Sequence, residues 1–186
     1  TDILPLLQDT DILILKSKTK IDKDFLEYSP RLKVVIRAGS GFEHIDVEAL
    51  TERGIRLETT PQGNRDAVGE QAVGMLLCLM NHICRANQEV KRWIWKREEN
   101  RGHELDGKTV GIIGYGNMGS AFARKLAGFG CQVIAYDKYK SNYADSFCKE
   151  SSLAEIFAQA DILSLHVPLT KETKYINIPI DIVDNN

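Results

Sequence analysis

The chain has 186 residues, with 24 Lys and Arg against 26 Asp and Glu, a formal net charge of −2. At 43% apolar and 27% charged it is too apolar, and too nearly balanced, for a disordered chain. The same balance argues against a dedicated nucleic-acid binder, and the longest apolar run, Ala72–Met80, falls well short of the roughly 20 residues that span a bilayer.

No charged-then-apolar leader precedes the first expected strand. The length allows one domain or two small ones. The chain opens on Thr1 and closes on Ile178–Asn186, which completes no unit begun before it. It is therefore expected to be a piece of a longer protein.

Strands and helices alternate along the chain. After a helical Leu4/Leu6/Leu7 segment comes a strand at Ile12–Leu15, then a short helix at Asp22–Tyr28. Leu32–Ile36 is a strand that runs into Arg37-Ala38-Gly39-Ser40-Gly41. A helix over Asp46–Arg53 stops at Gly54, and Ile55–Glu58 is the next strand. Asn64 or Asp66 opens a long helix that reaches about Trp93. Its Ala72–Met80 stretch is apolar around most of its circumference, which predicts burial on several sides. Met75, Met80, Cys78 and Cys84 are expected as core filling. The pair Trp93 and Trp95 suggests a packed arm or an oligomer contact.

After the turn Leu105-Asp106-Gly107-Lys108 the pattern continues with strand Thr109–Ile113, helix Asn117–Phe129, strand Gln132–Tyr136, a capping box at Ser152 and strand Ile162–His166. The strands are continuous apolar runs, as in parallel sheets covered on both faces. The expected fold class is therefore α/β with parallel sheets and right-handed crossovers. The charge-rich stretch Lys91–Lys108 marks the expected boundary between two modules. The four cysteines show no C-x-x-C pair and no zinc spacing with histidine. They are expected as packed, reduced thiols in a cytoplasmic protein, without a metal site.

One glycine-rich turn carries the chemistry. Gly114-Tyr115-Gly116-Asn117-Met118-Gly119 is a G-x-G-x-x-G that follows a strand and opens a helix. Asp137 ends the next strand, 18 residues after Gly119. Gly114 allows the tight turn, Gly116 lets the backbone approach a pyrophosphate, and Gly119 lets helix close on strand. The free amides and the positive helix end would hold the pyrophosphate. Asp137 would accept from the adenosine ribose hydroxyls and repel a 2′-phosphate, which favours NAD over NADP. Lys138 and Lys140 beside it could soften that preference.

Five segments together resemble the D-isomer-specific 2-hydroxyacid dehydrogenases, in particular the phosphoglycerate dehydrogenase-like members. They are Leu15–Lys20, Arg37–Gly41, Thr60–Val68, Glu104–Gly114 and Ala160–Thr170, and the likeness covers about Asp11 to Asn177. The resemblance implies a partial flavodoxin-like substrate domain with a long linking helix over residues 1–96. It implies a partial Rossmann NAD-binding domain over 97–177 and leaves 178–186 as an unassigned tail. It implies that the Gly39-Ser40-Gly41 turn holds the substrate carboxylate on backbone amides. Lys16 and Ser17 match a position that faces substrate and is often Arg-Ser. The lysine keeps the charge and loses the bidentate fork. Asn117 and Met118 stand where Arg-Ile is common. His166, Val167, Pro168 and Thr170 match the segment lining the adenosine side of the cofactor.

The family's general acid/base is a histidine oriented by a glutamate, with an arginine on the substrate. None of His44, His82, His103 and His166 matches it. All three family residues are expected after Asn177, so no catalytic residue is assigned in the chain. The resemblance implies NAD-dependent oxidation of a D-2-hydroxy acid, with 3-phosphoglycerate as leading candidate, by a homodimer joined through the cofactor domain. No nucleic-acid or membrane partner is expected. Two alternatives stay open: a dinucleotide-sensing binding protein of the same fold, and a hydrolase resembling the adenosylhomocysteine enzymes.

Overall fold

Three short strands build the first sheet, two of them apolar and the third mixed. The computed structural model describes residues 3–168, 170 and 172–174. Its first unit, Thr1–Asn64, contains α1 (Leu4–Leu7), β1 (Ile12–Leu15), α2 (Lys23–Glu27), β2 (Val34–Arg37), α3 (Val47–Glu52) and β3 (Arg56–Thr59). The strands are parallel in the order β1-β2-β3, with Leu15 opposite Arg37 and Arg37 opposite Thr59. Asp22 and Asp46 start α2 and α3 by accepting the backbone N–H of Phe25 (3.0 Å) and Ala49 (2.9 Å). Leu26 of α2 and Leu50 of α3 pack with Leu15, Ile21 and Val35. These helices cover one face of the sheet. The alternate residues Ile12 and Ile14 are 57% and 68% exposed, so β1 is not covered on both faces as its apolar run suggested.

The second unit, Arg65–Asn186, holds α4 (Arg65–Met80), α5 (Ile83–Val90), β4 (Thr109–Ile113), α6 (Asn117–Lys125), β5 (Gln132–Tyr136), β6 (Lys149–Glu150), α7 (Leu153–Gln159) and β7 (Ile162–Leu165). Its parallel sheet runs β6-β5-β4-β7. Period-two alternation divides β4 between two cores. Val110 and Ile112 pack with Phe122 and Leu126 on the α6 side, whereas Ile113 packs with Ile156 of α7. Gly111 brings α7 close, because a Cβ there would stand 2.7 Å from Ile156. α7 carries the expected capping box: Ser152 accepts the Glu155 N–H at 3.2 Å and Glu155 accepts the Ser152 N–H at 2.7 Å. β5 and β7 lie on opposite sides of β4, so strand order reverses at the carboxyl end of β4. In open parallel sheets ligands bind at such a switch point.

The long helix departs from expectation in three ways. It breaks after Met80: His82 adopts a left-handed φ of 51°, and α5 leaves α4 at 64°. No single described helix is long and apolar enough to cross a membrane. Only one face of α4 is buried. Gly69 lies against the α6 backbone, where a Cβ would stand 3.1 Å from Ala121, and Leu76 enters the core. Met75 and Leu79 are 65% and 71% exposed, and Cys84 is exposed too, so Met75 and Cys84 are not core filling. Finally, the packing on α6 places α4 in the second unit. The units divide between Asn64 and Arg65, whereas the charge-rich stretch pointed to Lys91–Lys108 and the family resemblance implied 96/97. Trp93 and Trp95 follow α5 at 97% and 80% exposure, so they are not packed within the chain.

Two smaller differences follow. The helix expected over Asn117–Phe129 stops at Lys125 and tightens into a 3-10 turn, Leu126–Gly128. β6 adds an edge that its two polar residues did not announce. The tail 178–186 lies outside the described residues.

Candidate functional site

The glycine-rich turn stands at the carboxyl end of β4. Gly114 takes a φ of 95°, and a Cβ there would meet the His166 carbonyl oxygen at 2.5 Å. The turn thus rests directly on the backbone that follows β7. At Gly119 a Cβ would stand 2.1 Å from the Gly114 carbonyl oxygen, so the first turn of α6 presses on the turn that precedes it. Gly116 differs in kind. It is the N-cap of α6 with an extended backbone, and a Cβ built on it would meet no protein atom within 4 Å.

That open side of Gly116 is where an incoming pyrophosphate would lie. Gly116 supplies no side-chain cap to α6, and the first turn carries no acid. The amides of Asn117, Met118 and Gly119 precede the first intrahelical bond, which Ser120 N–H donates to the Gly116 carbonyl at 3.1 Å. The donor set, the helix end and the missing Cβ fit a dinucleotide pyrophosphate.

Asp137 follows β5 and faces the same turn. One of its oxygens accepts the Tyr115 N–H at 2.8 Å and the other accepts the Tyr139 N–H at 2.9 Å. A carboxylate has about four lone-pair sites, so two ribose hydroxyls can still be received. The neighbouring lysines are engaged. Lys140 Nζ donates to the Tyr115 carbonyl at 2.9 Å, and Lys138 pairs with Glu172, whose hydrogen bond raises the lysine pKa.

Beneath the turn lies an anchor that the sequence did not reveal. The Tyr115 side chain is buried, and its hydroxyl donates to the Asp145 carboxylate at 3.1 Å. Burial raises its pKa and keeps it a neutral donor. Its ring packs 5.2 Å from that of Tyr143, whose hydroxyl donates to the Ala135 carbonyl and accepts the Asp137 N–H. Burial pushes the Tyr143 pKa up to about 12. The one available signal was an aromatic residue inside the glycine motif.

His166 is held inside the unit. Its ring lies 5.3 Å from Phe122 and its Nε2 is 2.9 Å from Ser164 Oγ; burial lowers its pKa and favours the neutral ring. Val167 packs with the α7 core. Pro168 and Thr170 belong to a turn closed by Thr173: the Thr170 N–H donates to Thr173 Oγ1 at 2.7 Å, and Thr173 Oγ1 also donates to the Pro168 carbonyl. The structure therefore brings Gly114–Gly119, Asp137 and His166–Val167 together. Thr170 is occupied within its own turn.

The candidate substrate residues occupy the first unit. Lys16 and Ser17, both exposed, follow β1, and Ala38–Gly41 follow β2, adjacent because Leu15 pairs with Arg37. Arg37 organises this turn, a role the sequence did not disclose. It donates from Nε to the Gly41 carbonyl at 2.7 Å and from its guanidinium to the Ala38 carbonyl. Gly39 has a φ of 138° and gives its N–H to Thr60 Oγ1 at 3.0 Å. Ser40 is exposed, and Glu43 lies against Gly41, its carboxylate 2.8 Å from where a Cβ would be. His44 Nε2 contacts the Lys16 carbonyl at 3.1 Å, while the His103 N–H bonds the Met80 carbonyl. Among the described residues, no three metal-ligating side chains come together.

Comparison with known proteins agrees with this geometry. The family described as D-isomer specific 2-hydroxyacid dehydrogenase, NAD binding domain, matches residues 73–177. A hydroxypyruvate reductase of Thermotoga maritima is 37% identical over 175 residues, 94% of this chain and 57% of that protein. A D-3-phosphoglycerate dehydrogenase of Methanocaldococcus jannaschii is 38% identical over 94% of this chain and 34% of its own length. The D-lactate dehydrogenase of Aquifex aeolicus, solved with NAD and lactic acid, superposes with a TM-score of 0.78 at 31% identity, over 91% of this chain and 51% of that one. The chain thus spans between a third and three-fifths of the length of these relatives. It belongs to the D-isomer-specific 2-hydroxyacid dehydrogenase family and carries that family's NAD-binding domain.

Proposed function

We propose that the protein carrying this chain moves a hydride between NAD and carbon 2 of a D-2-hydroxy acid, with D-3-phosphoglycerate or a related hydroxy acid as substrate. The observation that carries this reading is the open cradle at Gly116, faced by Asp137, in a chain of this family. When bound, NAD supplies the hydride acceptor. The amides of Asn117, Met118 and Gly119 would hold its pyrophosphate, and Asp137 its ribose hydroxyls. In the first unit, Arg37 draws the Ala38 and Gly41 carbonyls to itself, which supports a role for the Ser40 and Gly41 amides as carboxylate donors, whereas the Gly39 N–H is already given to Thr60. The exposed ammonium of Lys16 would meet a second anionic group, and the names of the relatives from Methanocaldococcus and Thermotoga support this substrate class. Residues 178–186 hold no His, Arg or Glu, so no residue of this chain is assigned the proton transfer.

The test is NADH formation by the full-length protein with paired D- and L-2-hydroxy acids. Turnover of D-acids alone, with the highest kcat/KM on a phosphorylated one, is expected. Turnover of L-acids, or of none, would contradict the reading. We further propose a cytoplasmic homodimer joined through the second unit. The exposed Met75, Leu79, Trp93 and Trp95 support the contact, and the free cysteines support the compartment. Sedimentation of the full-length protein measures the assembly directly, and a monomer at all concentrations would contradict it.

A further inference from the structure

β5 outruns its outer neighbour. β6 has two residues, Lys149 and Glu150, which pair with Ile134 and Ala135. On its inner side β5 stays paired with β4 through Tyr136, whose carbonyl accepts the Gly114 N–H at 2.8 Å. The Ala135 carbonyl faces the outer edge, where the Ser151 N–H reaches it at 2.8 Å. Along a strand the direction alternates with a period of two. Asp137 therefore turns its N–H to the outer side, beyond the end of β6, where no strand receives it. A peptide N–H shielded from water needs a partner. The Tyr143 hydroxyl is that partner: it accepts the Asp137 N–H at 3.0 Å and donates to the Ala135 carbonyl at 2.8 Å. A phenol thus does at this edge what a further strand residue would do.

The loop that carries Tyr143 is fixed without the hydroxyl. The Tyr143 N–H donates to Glu150 Oε2 at 3.2 Å, and its ring lies 5.2 Å from that of Tyr115. Asp145, two residues on, receives the Tyr115 hydroxyl at 3.1 Å and the Phe147 N–H at 2.8 Å. Desolvation pushes the Tyr143 pKa up to about 12, so near neutral pH the phenol keeps the proton it gives to Ala135. The Tyr115 and Tyr139 amides orient the Asp137 carboxylate, whereas Tyr143 holds the main chain from which that carboxylate projects.

We propose that Tyr143 is a positioning residue for the adenosine ribose: its hydroxyl fixes the Asp137 backbone and so aims the carboxylate at the ribose hydroxyls. It acts through Asp137 and touches no cofactor atom. The proposal rests on the role given to Asp137 under the proposed function and goes beyond it, because recognition of the ribose then depends on a second residue.

The test pairs two variants of the full-length protein with two dinucleotides, NAD and its 2′-deoxyadenosine analogue, titrated by calorimetry. Removing one hydroxyl from the protein and one from the cofactor forms a double-mutant cycle. In the unsubstituted protein, loss of the 2′-hydroxyl is expected to cost about tenfold in affinity, as for one charge-assisted hydrogen bond. Tyr143→Phe is expected to weaken NAD by about five- to tenfold and the analogue by less than about twofold, so the preference between them collapses. Looser packing alone would weaken both by the same factor. Tyr115→Phe is the matched comparison. It also removes a phenol hydroxyl from this network, but it keeps the Tyr115 N–H on Asp137 and should keep the original preference. If the unsubstituted protein binds neither dinucleotide, or both alike, the role of Asp137 falls and the proposal with it. If it binds NAD with the expected preference, three results would overturn the proposal alone: a preference that Tyr143→Phe leaves unchanged, a collapse that Tyr115→Phe reproduces, or a Tyr143→Phe protein that no longer folds, since the hydroxyl would then hold the fold and not the ribose site.

Discussion

Gly116→Ala is expected to keep the fold and lose most of the affinity for NAD. The added methyl group meets no protein atom within 4 Å, and the φ of −83° at this position suits an alanine. It stands instead where the pyrophosphate must approach the amides of α6. Holding the anion further off costs charge-assisted hydrogen bonds at about 1.5–3 kcal/mol each, which is about 10- to 100-fold in affinity. Gly119→Ala provides the contrast. Its methyl group would lie 2.1 Å from the Gly114 carbonyl oxygen, so the helix must shift off the turn. Overpacking of that kind typically costs about 1–3 kcal/mol, and a chain of this size loses about 2–4 °C in Tm for each. Calorimetric NAD titration and thermal unfolding of both variants separate the two roles. An unchanged NAD affinity in Gly116→Ala would remove the pyrophosphate from this turn.

Asp137→Asn is expected to weaken NAD about tenfold and to narrow the preference over NADP by about 10- to 100-fold. The amide oxygen can still accept the Tyr115 N–H that the carboxylate now accepts at 2.8 Å, so the glycine-rich turn keeps one anchor. What disappears is the negative charge that receives the ribose hydroxyls and repels a 2′-phosphate. Asp137→Ala removes both functions and should weaken NAD further. Lys138 and Lys140 give the variant its selectivity shift, because a 2′-phosphate would arrive beside two cations already present. Titration with each dinucleotide reads both effects. Unchanged affinity and selectivity would refute the role given to Asp137.

The site was legible in the sequence where a single residue property suffices. Glycine spacing, an apolar strand before it and an acid after the next strand locate the cofactor turn, because each requirement is local in the chain. The supports of that turn were not legible. Tyr115 reaches Asp145, and Lys140 reaches the Tyr115 carbonyl, only because β5 runs beside β4. Arg37 stood in the sequence only as the residue that opens a glycine-rich turn; the folded turn shows its guanidinium gathering two carbonyls.

The long helix shows the same limit from the other side. Its apolar circumference suggested burial on several sides, yet composition does not say which face a neighbour covers. Gly69 decides that by allowing α4 to lie on α6, and it also decides to which unit α4 belongs. The break after Met80 carries no proline or glycine. A left-handed histidine makes it, a conformation that costs an L-residue about 1–2 kcal/mol and has no simple sequence signature.

The central claim is that the amides opening α6, together with Asp137, hold a dinucleotide. Titration of the protein with NAD, followed amide by amide in a nitrogen-15 NMR spectrum, tests it most directly. The account predicts one saturable site at which the signals of Asn117, Met118, Gly119 and Asp137 move together and furthest. Saturable NAD binding that leaves those four amides in place would contradict it.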